Sequence, residues 1–250
     1  MGPSPWMWLP LVSSLLASPP EVPQNHRSSC PVAESRRPSQ LSSRLQPPAF
    51  ASTAARQATG FPAVNYKHRL MSTSAGWPRL DQWCVWVEPS LEKGPGARWD
   101  RRWLESVDSA LARWEELLPI RRVLDPSSAQ VRILRRRPPL RFGDDGKSRA
   151  SHGRASLRLT EVLRQNVWWV EPHVDVLISP AQRAQAIEAT ALHELGHAFG
   201  LWGHSNENTD AMAGVPGPRP VLELSPRDRA TLRWLYAQPT PFGRPLHTIK

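Results

Sequence analysis

The chain has 250 residues, of which 40% are hydrophobic, including 12 tryptophans, enough apolar sequence to bury the core of one ordinary domain. Its formal net charge is +10, but residues 1–70 hold half of this excess, so no concentrated basic face of the kind that binds nucleic acid is evident. No stretch reaches the roughly 20 apolar residues of a membrane span. We therefore expect neither a nucleic-acid partner nor a transmembrane span.

The first twenty residues carry no charge and contain the apolar run Trp6–Val12. This run resembles the apolar region of a signal peptide but lacks the usual basic start. It favours export to a periplasmic or extracellular location. The alternatives are an unprocessed tail, or an upstream extension of a cytoplasmic chain that starts at Met71.

Residues 1–70 are interpreted as this leader followed by a disordered linker, because Pro, Ser, Ala and Arg dominate from Ser18 onward without a sustained hydrophobic period. Residues 75–245 form the predicted folded domain. The two cysteines, Cys30 and Cys84, support neither a disulfide framework nor a cysteine zinc cluster, and they leave the redox compartment open.

The folded domain begins with an apolar run typical of a buried strand and continues with a helix whose tryptophans recur at three- and four-residue steps. Alternating segments then predict further strands, and Ser-Pro pairs mark two later helix starts. In chain order the predicted elements are strand Trp83–Glu88, helix Trp99–Leu118, strands Arg122–Leu124, Val131–Leu134, Ala155–Leu159 and His173–Ile178, a helix from Ser179 to Gly200 with a Ser179/Gln182 capping box, and a helix from Ser225.

Residues 193–204 read His-Glu-Leu-Gly-His-Ala-Phe-Gly-Leu-Trp-Gly-His. His193 and His197 lie one helical turn apart, so both imidazoles can reach one ion, while Glu194 is rotated by about 100° toward a water on that ion. Gly200 lets the chain leave the helix and turn back, so that His204 can supply a third nitrogen. Three protein ligands leave one tetrahedral position for water, as in catalytic zinc sites.

This motif, with Met212 eight residues beyond His204, resembles the metzincin metalloproteases, particularly the matrixin-like peptidases of bacteria and cyanobacteria. The resemblance covers roughly Trp77 to Tyr236. It implies that His193, His197 and His204 bind zinc, that Glu194 is the catalytic base, and that Met212 packs beneath the metal without binding it. It also implies an α+β fold: a twisted five-stranded mixed sheet with a backing helix, an active-site helix and a C-terminal helix.

The chain departs from the family pattern in four places. One extra residue separates Gly200 from His204, so Glu207 and Asp210 remain rival third ligands. Gly214 replaces the usual proline after the methionine, and no propeptide cysteine switch is present. The segment 143–146 lacks the pattern of the family's structural metal loops, so we expect one catalytic Zn²⁺ and neither structural zinc nor calcium.

The expected function is that of a monomeric zinc-dependent endopeptidase acting on a protein or peptide substrate. The substrate is expected to lie extended along the edge strand Ala155–Leu159. No tyrosine is assigned to the reaction, because Tyr66 lies in the predicted linker and Tyr236 in the last helix. Two alternatives stay open: an inactive protease-like binding module, and a zinc hydrolase of a non-peptide amide.

Overall fold

We describe the protein from a computed structural model, which describes residues 2, 30–47, 64–90, 93–94, 96–142, 148–149 and 151–246. The signal-like run Trp6–Val12 and the segment 143–146 lie outside the described residues, as does the central part of the predicted linker. The predictions for these segments therefore stay predictions.

The described residues form three α-helices, two 3₁₀ turns and nine strands, and none of these helices is long and apolar enough to cross a membrane. The helices are α1 (Ala97–Glu115), α2 (Ala184–Ala198) and α3 (Pro226–Tyr236), and the 3₁₀ turns are Lys67–Arg69 and Pro126–Ser128. The strands are β1 (Ser35–Pro38), β2 (Trp83–Val87), β3 (Ile120–Arg122), β4 (Val131–Leu134), β5 (Arg141–Phe142), β6 (Ser148–Arg149), β7 (Gly153–Arg164), β8 (Val167–Ile178) and β9 (Arg244–Pro245).

A mixed sheet with the strand order β1-β7-β8-β4-β2-β3 organises the fold, and β9 adds to β8. Strands β3, β2, β4 and β8 run parallel to one another, whereas β7 runs antiparallel to β8. This architecture is compatible with the predicted α+β class. The sheet has seven strands rather than the expected five, because β1 and β9 are short polar segments that carry no hydrophobic alternation.

Helix α1 backs the sheet through its tryptophan stripe. Trp103 and Trp114 are fully buried, and their indole N–H groups donate to the carbonyl oxygens of Ile178 and Leu192. Trp99 belongs to the same predicted stripe but is 49% exposed. Because Trp103 already reaches Ile178, the last residue of β8, a side chain one turn earlier lies beyond the end of the sheet.

The two later helices differ in how well their starts could be predicted. Helix α3 is capped as expected, and the Ser225 and Asp228 side chains each bond the other's backbone N–H. Helix α2 begins at Ala184 instead of at Ser179-Pro180, so the predicted capping box is wrong. The Gln182 side chain instead donates to the Ser179 carbonyl, and Arg183 occupies the N-cap position without a side-chain cap.

The described parts of residues 1–70 pack on the domain, which differs from the predicted disordered linker. Strand β1 extends the sheet beside β7, and a disulfide joins Cys30 to Cys84 of β2. Tyr66 and Leu70 are buried in the same core as the sheet and helices. The folded unit therefore begins well before residue 75.

Replacing Cys30 with serine should destabilise the protein by about 2–4 kcal/mol, because the disulfide closes a loop between residues 54 positions apart and so restricts the unfolded chain. Cys30 is the better site for substitution, since Cys84 is 2% exposed and its replacement would also disturb the core. Urea unfolding checks the change. Reductant should destabilise the wild type to the same extent and leave Cys30→Ser unaffected; equal stability of the two oxidised proteins would contradict the expectation.

Candidate metal centre

Helix α2 places the first two histidines one turn apart in its C-terminal half. The ring centroids of His193 and His197 are 4.8 Å apart, and the ring planes are nearly perpendicular. His197 is buried, whereas His193 and Glu194 are half-buried. The four-residue spacing thus brings both imidazoles to one place, as predicted.

The chain reverses after α2 and returns His204 to the same place. Gly200 and Gly203 have φ angles of +103° and +154°, which side chains rarely adopt. The His204 ring centroid lies 5.2 Å from that of His193 and 5.0 Å from that of His197. One ligand atom from each histidine lies within 4.8 Å of the others. The three predicted histidines therefore form one group, which we call the histidine triad.

The turn accommodates the extra residue between Gly200 and His204 because Trp202 packs against the His197 ring. Trp202 stacks on the His197 ring at 5.5 Å with an interplanar angle of 13°, and it is 6% exposed. Its carbonyl accepts a hydrogen bond from the Met71 N–H at 2.6 Å. A Cβ on Gly203 would lie 2.2 Å from the Arg69 carbonyl oxygen, so only glycine fits the turn there. The segment 69–71 thus shapes the return to the third histidine.

Hydrogen bonds fix the tautomers of the first two histidines. The Nδ1 atoms of His193 and His197 lie 2.8 Å from the carbonyl oxygens of Ala211 and Leu201, respectively. Because a carbonyl oxygen only accepts, Nδ1 must donate in both rings. Each Nε2 atom therefore keeps an unprotonated lone pair, the form that binds a metal ion.

Burial keeps the triad neutral. It lowers the pKa of His193 to about 4 and holds the pKa of His197 well below its usual range. Burial also lowers the pKa of His204. Neutral imidazoles near pH 7 have no proton to lose before they bind a metal ion, so the set suits a cation.

Met212 lies in the core against α2. It is fully buried, and a Cβ on Gly196 would lie 2.1 Å from its sulfur. The same Cβ would lie 3.1 Å from the Trp114 indole. Gly196, between the two helical histidines, therefore leaves the space that the Met212 and Trp114 side chains share.

A buried carboxylate holds the turn that carries Met212. Asp228 is fully buried and accepts hydrogen bonds from the backbone N–H groups of Ala211 at 2.8 Å and Met212 at 3.4 Å. The Tyr66 hydroxyl donates to the same carboxylate at 2.7 Å. Since the Ala211 carbonyl holds His193, a continuous chain of hydrogen bonds joins Tyr66 to the triad.

The hydrogen bond from Tyr66 to Asp228 was not predicted from the sequence. Burial, reinforced by the Asp228 charge, raises the pKa of the Tyr66 hydroxyl, so it remains a donor. The proline- and serine-rich composition around Tyr66 gave no sign of this contact, which spans 162 positions. The capping position of Asp228 was visible, but the second use of its carboxylate was not.

Asp210 and Glu207, the rival candidates for the third metal ligand, interact with other residues. The Asp210 carboxylate accepts a hydrogen bond from the Ser205 hydroxyl and lies 3.5 Å from the Arg227 guanidinium. Glu207 is exposed and pairs with Arg227 at 3.3 Å. Among the described residues, only histidines make up the group at this place that could hold a metal ion.

His193 of the triad lines an open cavity of about 490 Å³, which we call the cleft. Glu194 and Gly153 line it, and a Cβ on Gly153 would lie 2.6 Å from the Glu194 side chain. Residues 216–221 form the far wall. Strand β7 thus begins directly against the carboxylate.

One edge of β7 remains open near the cleft. Residues 153–164 all pair with β8, but β1 covers the other edge only at residues 160–163. Ser39 bonds the Leu159 carbonyl, and no further strand pairs with residues 153–158 among the described parts of the chain. The prediction of an exposed edge is thus met over residues 155–158.

No protein-family model matches the chain, and no curated protein matches it significantly. The donor set fits one metal ion: three neutral imidazoles, two with fixed tautomers, converge beside an open cleft. Zinc accepts such a set of imidazole nitrogens.

His204→Ala should lower bound zinc from about one equivalent to well below half after dialysis, because two nitrogens hold zinc far less tightly than three. Glu207→Ala, which removes the exposed rival carboxylate, should keep the full equivalent. Metal analysis of both purified variants checks this. Full zinc content in the His204 variant, with loss in a Glu207 or Asp210 variant, would overturn the assignment.

Tyr66→Phe should weaken zinc binding by about tenfold, because it removes a partner of the groups that orient a ligand. Tyr236→Phe is the matched control, since its buried hydroxyl donates to the Phe199 carbonyl and accepts from Trp83. Both variants should lose about 1 kcal/mol of stability, but only the first should lose affinity. Competition with a chelating dye measures the zinc affinity. Equal zinc affinity in the two variants would contradict a role for the chain of hydrogen bonds that joins Tyr66 to the triad.

Proposed function

We propose that the protein is a zinc-dependent endopeptidase with Glu194 as its general base. The observation that carries the proposal is a group of three neutral imidazoles, one of which lines an open cleft together with the Glu194 carboxylate. A structural zinc site is closed by four protein ligands, whereas here the triad supplies three and faces solvent through the exposed His204. This arrangement suits hydrolysis.

The histidine triad would hold the ion through the Nε2 atoms of His193 and His197 and one ring nitrogen of His204. When bound, zinc supplies Lewis-acid polarisation of a carbonyl and acidifies a water molecule. Neutral imidazoles favour zinc over calcium or magnesium, which prefer oxygen ligands. The carbonyls of Ala211 and Leu201 orient the two helical ligands.

Glu194 follows His193 directly, so its carboxylate points beside the triad rather than into it. In the proposed reaction it accepts a proton from the attacking water at one carboxylate oxygen. It then delivers this proton to the leaving amine nitrogen. The Glu194 side chain is half-buried and lies against Gly153 at the start of β7.

A peptide substrate suits the cleft better than a small amide, because the open edge of β7 leads into it. An extended chain can pair its backbone with residues 153–158, while one side chain enters the cavity of about 490 Å³. A mixed sheet with a helix that carries the histidine motif is also what the resemblance to matrixin-like peptidases implies. An inactive binding module would leave Glu194 without a role at this position.

Glu194→Gln should abolish casein cleavage, lowering the rate at least about 10²-fold, while zinc stays bound at one equivalent, because the amide keeps the shape but accepts no proton. Glu188→Gln on the same helix is the control and should retain activity. A chelator should inactivate the wild type, and added zinc should restore it. Full activity in Glu194→Gln, or casein cleavage that persists after zinc removal, would refute the mechanism.

A further inference from the structure

A second open groove lies beside the cleft, between the first turn of α1 and the start of α2. Its volume is about 810 Å³. Trp99, Arg102 and Arg183 line it, and it shares His152 and Gln182 with the cleft. A chain that leaves the cleft past the N-terminal end of β7 therefore enters this groove.

Trp99 forms the aromatic part of the groove. It is 49% exposed and is the one aromatic residue among the exposed large hydrophobic side chains of the described chain. The guanidinium groups of Arg98 and Arg102 lie over its ring at 4.7 Å and 4.1 Å. These cation–π contacts hold the indole in place, and exposed Trp flanked by Arg is typical of binding surfaces.

The arginines around the groove carry positive charge that no carboxylate of the described residues pairs with. Arg98, Arg102 and Arg183 have no carboxylate within ion-pair distance among the described residues. At the other end of α1, by contrast, Arg113 pairs with Glu223 at 2.6 Å. The described lining of the groove also contains no Asp or Glu. A peptide carboxylate could thus bind these arginines without displacing a carboxylate of the described residues.

We propose that this groove, lined by Trp99, Arg102 and Arg183, binds acidic residues of the substrate in the segment that passes the N-terminal end of β7. The proposal rests on the proposed peptidase function for the identity of the ligand as substrate. Arginine binds carboxylates through paired N–H donors, and the contact with the Trp99 ring holds the Arg102 guanidinium at the groove. The protein is therefore selective for substrates with an acidic cluster at a fixed distance from the cleaved bond.

Cleavage of matched peptides tests the selectivity. A casein sequence that the enzyme cuts is extended at either end by four Glu or by four Lys residues, in separate peptides. At one end, Glu should raise kcat/KM about fivefold over Lys, mainly through KM, and salt should reduce the difference. Equal kcat/KM for all four peptides would overturn the groove proposal while proteolysis itself stands.

Charge reversal of Arg102 and Arg183 tests whether these residues cause the preference for acidic peptides. Arg102→Glu combined with Arg183→Glu should invert the preference, and the milder pair Arg102→Gln with Arg183→Gln should remove it. Arg101→Glu, which makes a single Arg-to-Glu change at an exposed position of α1 outside the groove, should leave the preference as in the wild type. A preference unchanged in the Glu pair, with an unaltered melting temperature, would overturn the proposal.

A direct binding measurement tests the groove independently of peptide cleavage. Fluorescence anisotropy follows a labelled Glu-extended peptide on Glu194→Gln protein, which should bind it more tightly than the Lys-extended peptide. The Arg102→Glu/Arg183→Glu change in that background should abolish the difference. If no peptide is cleaved by any protein, the proposed function fails; a binding difference abolished by the arginine changes would still support the groove, and an unaltered one would overturn it.

Discussion

The candidate site depends on one buried carboxylate. Asp228 is fully buried and receives four hydrogen bonds, from the Tyr66 hydroxyl and the backbone N–H groups of Ala211, Met212 and Ser225. A buried charge is tolerated only when such donors replace water, so the three chain segments that supply them are held together at one point. One of them carries the carbonyl that orients His193, and another begins α3.

The position of His204 depends on a reversal of the chain after α2, which residues close to Tyr66 support. A helix can place two histidines but not the third, which needs a reversal of the chain directly after the helix. Two glycines allow the reversal, and residues 69–71 support it from outside through the Trp202 carbonyl and the space at Gly203. Residues 69–71, which lie between β1 and β2 in the chain, thus help to position the third histidine.

Local patterns predicted the local parts of this arrangement. Helical spacing placed His193 and His197 together, the glycine positions indicated the return to His204, and the strands of the central sheet followed from apolar runs. Contacts between distant positions had no local signal: Tyr66 with Asp228, Cys30 with Cys84, and β1 with β7. Trp99 matched the helical period, but periodicity does not show where the sheet beneath a helix ends. The start of α2 was misplaced because a Ser-Pro pair suits a turn as well as a helix cap.

The link between Cys30 and Cys84 has a consequence for how the chain tolerates cleavage. Residues 48–63 lie between the segment that carries β1 and the segment that carries Tyr66. A cut anywhere in that interval would leave two polypeptides that remain covalently joined, with the shorter one still paired to the sheet through β1. The nicked molecule would migrate as one species until it is reduced. A single cut in that interval would therefore not release strand β1 while the disulfide stays intact.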